Sequence, residues 1–320
     1  MTDDDTGRPT PSVSVVMAAY GAEATLAAAL DALGPQVAAC GGEIVIVDDG
    51  STDGTRAVAL DWVARHPEVA CTVVGTDVNR GLNGARNAAV LHARADFLAF
   101  TDSDDTVDPG WLAALVAARR PVAIVAGRYR HRGEAQIRTL RPFYDLDAGT
   151  ALGTSMAMER SVFDDARGFD ESFRVGGDEI EFALRAQIVH GAAFVRAPDA
   201  VVEYRIPRDR RGRRARLLRY LRGTALVARR VRSWPGAPDS GFTFRARLRD
   251  ALGAAVRMVI GGPGGRDRLD SFDRCVVEAW AAAWIARYAV AAPPPRWADP
   301  ARTFAIYRVL TSSSKAVPGG

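Results

Sequence analysis

The sequence predicts an α/β protein built on a mostly parallel sheet with helices on both faces, followed by a helical C-terminal extension. Three observations predict it. Short apolar, β-branched runs recur at Val13–Ala18, Glu43–Val47, Ala70–Val74 and Asp96–Thr101, each bounded by turn residues. Stretches with apolar residues at helical spacing lie between them, and strand–helix alternation with short connections specifies a parallel sheet covered on both sides. Beyond Arg205 the strand pattern stops and helical spacing continues to Ala292, interrupted near Trp234-Pro235 and at Gly261–Gly265.

The run Val13–Ala18 has no polar face, as a buried parallel strand requires. Tyr20-Gly21 ends it, and a helix over Glu23–Leu33 follows. The second strand, Glu43–Val47, ends in Asp48-Asp-Gly-Ser-Thr-Asp-Gly54, whose Ser51, Thr52 and Asp53 suit the start of a helix running to Arg65. Ala70–Val74 leads into Asn79–Asn87, which opens a helix through Ala93. The fourth strand delivers the acidic run Phe100-Thr-Asp-Ser-Asp-Asp105 and a turn at Asp108-Pro-Gly110.

A helix over Gly110–Arg119 and a strand over Val122–Gly127 come next. Arg128–Asp147 mixes aromatic and charged residues and reads as edge strands or a flap, Gly153–Met158 as a strand returning to the core, and Gly168–Phe173 as a loop. Asp178–His190 carries an apolar face of Ile180, Phe182, Ala183, Leu184 and Ile188, wide enough to pack on a sheet. Phe194–Tyr204 reads as two short strands around Pro198. The chain thus divides into a disordered tail (1–10), a main α/β domain (11–204), a basic helical region (205–310) and a flexible tail (311–320).

Composition bounds the rest. A chain of 320 residues, 48% hydrophobic and 25% charged, is globular and large enough for one α/β domain with an appendage. Met1–Thr10 is acidic and polar, without the apolar stretch of a secretion signal. Cys40, Cys71 and Cys275 lack metal spacing and read as reduced thiols, which points to the cytoplasm.

The net charge of +4 is unevenly spread: Arg205–Arg232 is crowded with arginine against one acid, Asp209. A guanidinium-rich surface suits phosphate or anionic lipid. It lacks the interleaved aromatic residues of single-strand nucleic-acid binders, so nucleic acid is not expected as a partner. The stripe Val277, Trp280, Trp284 and Tyr288, broken by Glu278 and Arg287, is too short and too charged to span a bilayer. It suits packing against the main domain or a second subunit, with docking on a membrane surface as the alternative.

Asp102, Asp104 and Asp105 are the sharpest feature. Carboxylates this close repel one another, so a divalent cation or a ring of donors belongs among them. The end of a buried parallel strand is where open α/β sheets bind ligands.

Six segments, Val15–Tyr20, Val47–Asp53, Asn79–Asn87, Asp102-Ser-Asp104, Gly168-Phe-Asp170 and Gly177–Phe182, follow one another in an order and spacing that resembles the inverting glycosyltransferases of family 2. The resemblance covers Pro11–Tyr204 and implies a GT-A, Rossmann-like catalytic domain. By it, Ala19, Tyr20 and Glu23 line the pocket of the nucleobase, and Asp49 accepts a base N–H, with helix capping as the alternative for Asp49 and the favoured role for Asp48. Gly81 allows close backbone approach, and Arg86 lies near a phosphate or carbonyl oxygen of the nucleotide. Asp102, Ser103 and Asp104 resemble the D-x-D element: Asp104 ligates Mg or Mn bridging two phosphates, and Asp102 touches ribose or a metal-bound water. Asp105 is expected to serve as a turn or capping group.

The resemblance places the catalytic base at Asp178-Glu179. The order is reversed relative to the family's Glu-Asp; aligning on Glu181-Phe182 makes Glu179 the base, with Asp178 as the alternative. Tyr204 stands where related enzymes often carry a His, so the cation is held more loosely or Arg205 replaces part of its charge. His131 and His190 are read as structural or exposed.

The implied reaction is a single displacement from a nucleoside-diphosphate sugar, a UDP-sugar being the commonest donor, onto a hydroxyl of a glycan, lipid-linked or natural-product acceptor. Processive relatives carry Q-x-x-R-W, whereas Pro293 stands in place of Gln before Arg296-Trp297, so one sugar is added per encounter. The expected setting is cytoplasmic, with peripheral contact of Arg205–Arg232 with the anionic inner membrane face and a homodimer through the C-terminal helices. Two other readings stay open. A nucleotidyltransferase needs a glycine-rich basic loop that Tyr20-Gly-Ala-Glu23 does not supply. A catalytically silent glycan- or partner-binding module is encouraged only by the reversed Asp178-Glu179 and by Tyr204.

Overall fold

The computed structural model describes residues 10–138, 149–174, 176–205, 210–234, 276, 279–280, 282–288, 293, 295–297 and 308–313. Four parallel strands form its centre: β1 (Ser14–Ala19), β2 (Glu43–Asp49), β3 (Cys71–Thr76) and β4 (Phe97–Asp102), side by side in the order β3-β2-β1-β4. Every residue of β1 and β2 is buried, as their unbroken apolar runs require.

Val15, Met17, Ile44 and Ile46 pack under α1 (Leu26–Ala39), α2 (Thr55–Arg65) and α4 (Trp111–Ala117). Val16, Ala18, Val45 and Val47 pack on the opposite face under α3 (Leu82–His92), α5 (Arg160–Asp165) and α6 (Asp178–Ile188). With both faces apolar, hydrophobicity alone specifies register weakly. A buried polar lock at the other end of the sheet supplies it. Ser14 Oγ donates to Glu43 Oε1 at 2.7 Å and accepts the Ala95 N–H at 2.9 Å, while Glu43 also holds Arg94.

Beyond β4 the sheet turns mixed. Antiparallel β8 (Met156–Glu159) pairs with β4 and with β6 (Ala123–His131); β9 (Ala193–Tyr204) runs parallel to β6, and the short β5 (Thr106–Val107) closes that edge. β7 (Ile137–Arg138) folds back on the end of β6, so the first part of the expected edge-or-flap segment is a hairpin; residues 139–148 lie outside the described residues. β9 is one strand where two were expected. Its pairing with β6 jumps from Arg196 to Val201, and Pro198, which has no N–H to give, sits in the resulting bulge.

Two further expectations are corrected. α1 does not stop at Leu33 but continues through Pro35 to Ala39. Tertiary contacts override the break: Val37 is buried, and the Gln36 side chain donates to Ala32 and Asp108 carbonyls and accepts the Leu112 N–H. The expected flexible tail at 311–320 starts inside β10 (Arg308–Ser313), which pairs antiparallel with β3 and covers that edge of the central sheet.

After β9, α7 (Arg210–Val231) packs on α6. Leu184 and Phe173 meet Ala225, Leu226, Val227 and Val231, and Ile285 and Tyr288 complete the cluster. Arg230 donates to the Asp170 carboxylate and to the Pro293 carbonyl, and Asp170 also accepts the Arg296 N–H. Trp297 stacks on the Arg185 guanidinium, 4.5 Å away. The first C-terminal helix is therefore fastened to the loop that precedes α6. Cys40 and Cys71 are free thiols, and Cys275 lies outside the described residues. Among the described residues no helix is long and apolar enough to cross a membrane.

Candidate active site

The central strand order reverses between β1 and β4, and a cleft of about 840 Å³ opens there, at the carboxyl ends of the strands. Ala19 and Tyr20 from the end of β1 line it with Asp49, Gly81, Asp102, Ser103 and Asp104, so seven expected residues converge on one cavity. Tyr20 is 57% exposed and presents a flat aromatic face at the mouth.

Glu23 does not join them. Its carboxylate turns to the start of α2 and accepts the Gly54 N–H at 2.9 Å, and a Cβ at residue 54 would collide with it. An unsatisfied helix N-terminus beside it outcompetes the cleft for the negative charge. Asp53 accepts the Thr55 N–H at 3.1 Å and thereby assists the same helix start.

Asp48 and Asp49 diverge as neighbours on a strand must. Asp48 is fully buried and binds Arg56 at 2.7 Å and the Ser51 N–H at 3.1 Å, a structural role. Asp49 accepts the Arg80 N–H at 3.0 Å and the Gly81 N–H at 2.7 Å. Its charge thus pins the loop that floors the cleft. Gly81 takes a φ of 92°, which favours glycine, and caps α3.

Arg86 sits behind the cleft wall, on Asp102. It is buried, and its terminal nitrogens donate to Asp102 at 2.7 Å and to Asp178 at 3.0 Å. With two carboxylates on its guanidinium it is a brace between β4 and α6, not a free cation for the nucleotide. The side chain passes over Gly153, where any Cβ would collide with the guanidinium.

Asp105, expected as a turn or capping group, stands in the acidic rim with Asp102 and Asp104. Carboxylate oxygens of Asp102, Asp104 and Asp105 all lie within 4.8 Å of one another. Asp105 accepts the Arg205 N–H at 2.8 Å through Oδ1, and the Thr154 hydroxyl beside it also favours its ionised form; its buried Oδ2 makes no close hydrogen bond among the described residues. Burial and then the charges of Asp102 and Asp104 push the Asp105 carboxyl up to about 8. Loss of water and the neighbouring Asp102 raise Asp104 as well. A turn residue need not be this costly. Three carboxylates grouped this closely, one of them buried, are what a divalent cation would satisfy, and hard oxygen donors suit Mg or Mn.

At the start of α6, Asp178 and Glu179 are both buried. Arg86 holds Asp178, whereas Glu179 is raised well above the ordinary carboxylate range, first by burial and then by Asp178. Tyr204 accepts a hydrogen bond from Arg216 of α7 and lies 3.2 Å, oxygen to oxygen, from Tyr220 of the same helix. Arg205 and Arg174 add positive charge to the cleft wall, and Arg174 donates to the Arg80 carbonyl at 2.9 Å. Arg174, Arg216, Tyr220 and Gly153 escape a reading of the sequence because each meets its partner only through tertiary folding. The His131 ring lies tilted beside Tyr129, and His190 is exposed; neither lines the cleft.

A β3-β2-β1-β4 parallel core, extended by antiparallel strands and carrying an acidic rim at its switch point, defines a GT-A glycosyltransferase fold. The model of glycosyl transferase family 2 matches residues 14–177, and the chain belongs to that family. It is 30% identical over 241 residues to the succinoglycan biosynthesis protein ExoO of Rhizobium meliloti (strain 1021), covering 68% of this chain and 66% of that protein, so just under two thirds of the relative's length is spanned. In structure it resembles the mannosyltransferase PcManGT from Pyrobaculum calidifontis in complex with GDP-Man and Mn2+, with a TM-score of 0.62, 20% identity and 88% of each chain covered. It also resembles residues 1–349 of TarS from S. aureus in complex with UDP-GlcNAc, with a TM-score of 0.53, 15% identity, and 87% and 91% covered.

Proposed function

We propose that the protein transfers one sugar from a nucleoside-diphosphate sugar to an acceptor hydroxyl, with inversion and with a divalent cation at Asp102, Asp104 and Asp105. The observation that carries this reading is the convergence of those three carboxylates within 4.8 Å at a cleft whose rear brace, Arg86, ties Asp102 to the buried Asp178 beside Glu179. Donors in complex with the two structural relatives, GDP-Man and UDP-GlcNAc, support a nucleotide sugar.

Tyr20 at the open end offers a stacking face for the base, and the loop pinned by Asp49 brings backbone close to the ribose side. When bound, the cation neutralises charge on the leaving diphosphate. Arg205, on the cleft wall, adds positive charge there. Glu179, once ionised, takes the proton of the acceptor hydroxyl: it stands at the start of α6 beside Asp178, whose carboxylate Arg86 holds. The acceptor oxygen attacks the anomeric carbon from the side opposite the diphosphate, which inverts configuration.

The same reading carries a cytoplasmic setting and an anionic lipid surface under the arginine-rich α7. Retention of the protein by vesicles containing phosphatidylglycerol, and not by neutral ones, tests that part. A thermal-shift panel of UDP, GDP, dTDP and CDP with and without Mn tests the central part, since a ligand of the folded state stabilises by mass action. One nucleotide raising Tm only with Mn is the expected result; no shift with any of them refutes the reading.

A further inference from the structure

The cluster formed by Tyr204, Arg216 and Tyr220 is not used by the chemistry above, yet it touches both halves of the site. On the rim side, Tyr204 is followed by Arg205, whose N–H binds Asp105 and whose side chain lines the cleft. On the proton-acceptor side, Tyr220 rests against Gly176, just before Asp178. Gly176 has a φ of 63°, and a Cβ there would lie 2.9 Å from the Tyr220 ring. The two phenol oxygens are 3.2 Å apart. The pair therefore lies between the Arg205 side of the cleft and the start of α6, the region that the transferred sugar would occupy in this reading.

Hydrogen-bond direction sharpens this. Arg216 donates to both phenol oxygens and to the Arg205 carbonyl, and its guanidinium stacks on both rings. A guanidinium cannot accept, so the phenol protons must point elsewhere. Either oxygen can be the donor between the two; with Tyr204 donating, the Tyr220 proton has no acceptor among the described residues. Burial holds both phenols neutral, so that proton stays available.

We propose that Tyr220 hydrogen-bonds a hydroxyl or ring oxygen of the transferred sugar, and that Arg216 is the residue that positions it. This rests on the glycosyltransferase reading and adds to it that sugar selection is contributed by α7, beyond residues 14–177 matched by the family.

The test compares Tyr220→Phe and Arg216→Lys with the unmutated protein by titration calorimetry in Mn. The probes are bare UDP and GDP against UDP-GlcNAc, UDP-Glc and GDP-Man. The expected result is a loss of about five- to tenfold in affinity for the sugar nucleotide that the unmutated protein binds, the size of one hydrogen bond. Affinity for the corresponding bare diphosphate stays within about twofold on the same scale. Equal weakening of both ligands would show that the cluster only supports the fold, and no weakening of either would show that the sugar lies elsewhere; each overturns the proposal. Failure of the unmutated protein to bind any probe overturns the nucleotide-sugar reading itself, and is seen without a variant.

Discussion

The Arg86 guanidinium lies 3.0 Å from the Asp178 carboxylate, inside the protein, and its other terminal nitrogen holds Asp102 at 2.7 Å. One side chain of α3 thus ties the acidic rim of β4 to the start of α6. Removing it strands two carboxylates, one of them fully buried. Arg86→Ala should lower unfolding free energy by about 3–5 kcal/mol, the cost of breaking a buried ion pair from one side. Chemical denaturation measures it. Arg86→Lys should restore only part, because a single ammonium cannot span both partners.

Gly153→Ala probes the same brace without deleting a charge. The added methyl collides with the guanidinium, so a loss of about 1–3 kcal/mol is expected, as for other overpacked sites. Asp102 should shift with Arg86, and Mn affinity should fall. Unchanged stability and unchanged Mn affinity would show that Arg86 has room to move.

Asp105 gives the protein a pH signature. Its carboxyl is pushed up to about 8 by burial and by Asp102 and Asp104, so the folded state keeps a proton that the unfolded chain has lost. Stability from this source is complete below the ordinary carboxylate range and is lost as pH rises through about 8. Without divalent ions, Tm should fall over that interval. Mn requires the ionised carboxylate, so its stabilising shift should grow with pH, and Asp105→Asn should flatten both trends.

Glu179→Gln should retain donor binding and lose turnover by about a hundredfold or more, the usual contribution of a general base. Steady-state rates and product-nucleotide titration separate the two. If Glu179→Gln keeps full rate while Asp178→Asn does not, the proton acceptor is Asp178.

Much of this architecture is legible in the chain because its signals are local. The β-branched runs mark β1 to β4, and the acidic segment after Phe100 marks the cleft. What is hidden depends on distant partners. Asp102 and Asp178 look like independent motifs until Arg86 joins them. Glu23 reads as a cleft residue because only the fold brings it, from 31 positions away, to the Gly54 N–H at the start of α2. Asp105 reads as a turn residue because burial, which gives it its character, is a property of the fold. β10 carries a Ser- and Thr-rich sequence whose strand character comes from the open edge of β3. Tyr220 and Arg216 sit in a run of arginines that composition alone assigns to a solvated surface.

The central claim is that the rim at the end of β4 holds a cation-bound diphosphate. A crystal of the protein soaked with a nucleotide sugar and Mn tests it most directly. The account predicts Mn density contacting Asp104 and at least one of Asp102 and Asp105, with the diphosphate beside it and the base toward Tyr20. Nucleotide bound away from the β1–β4 cleft, or bound in it with no Mn at these carboxylates, would contradict it.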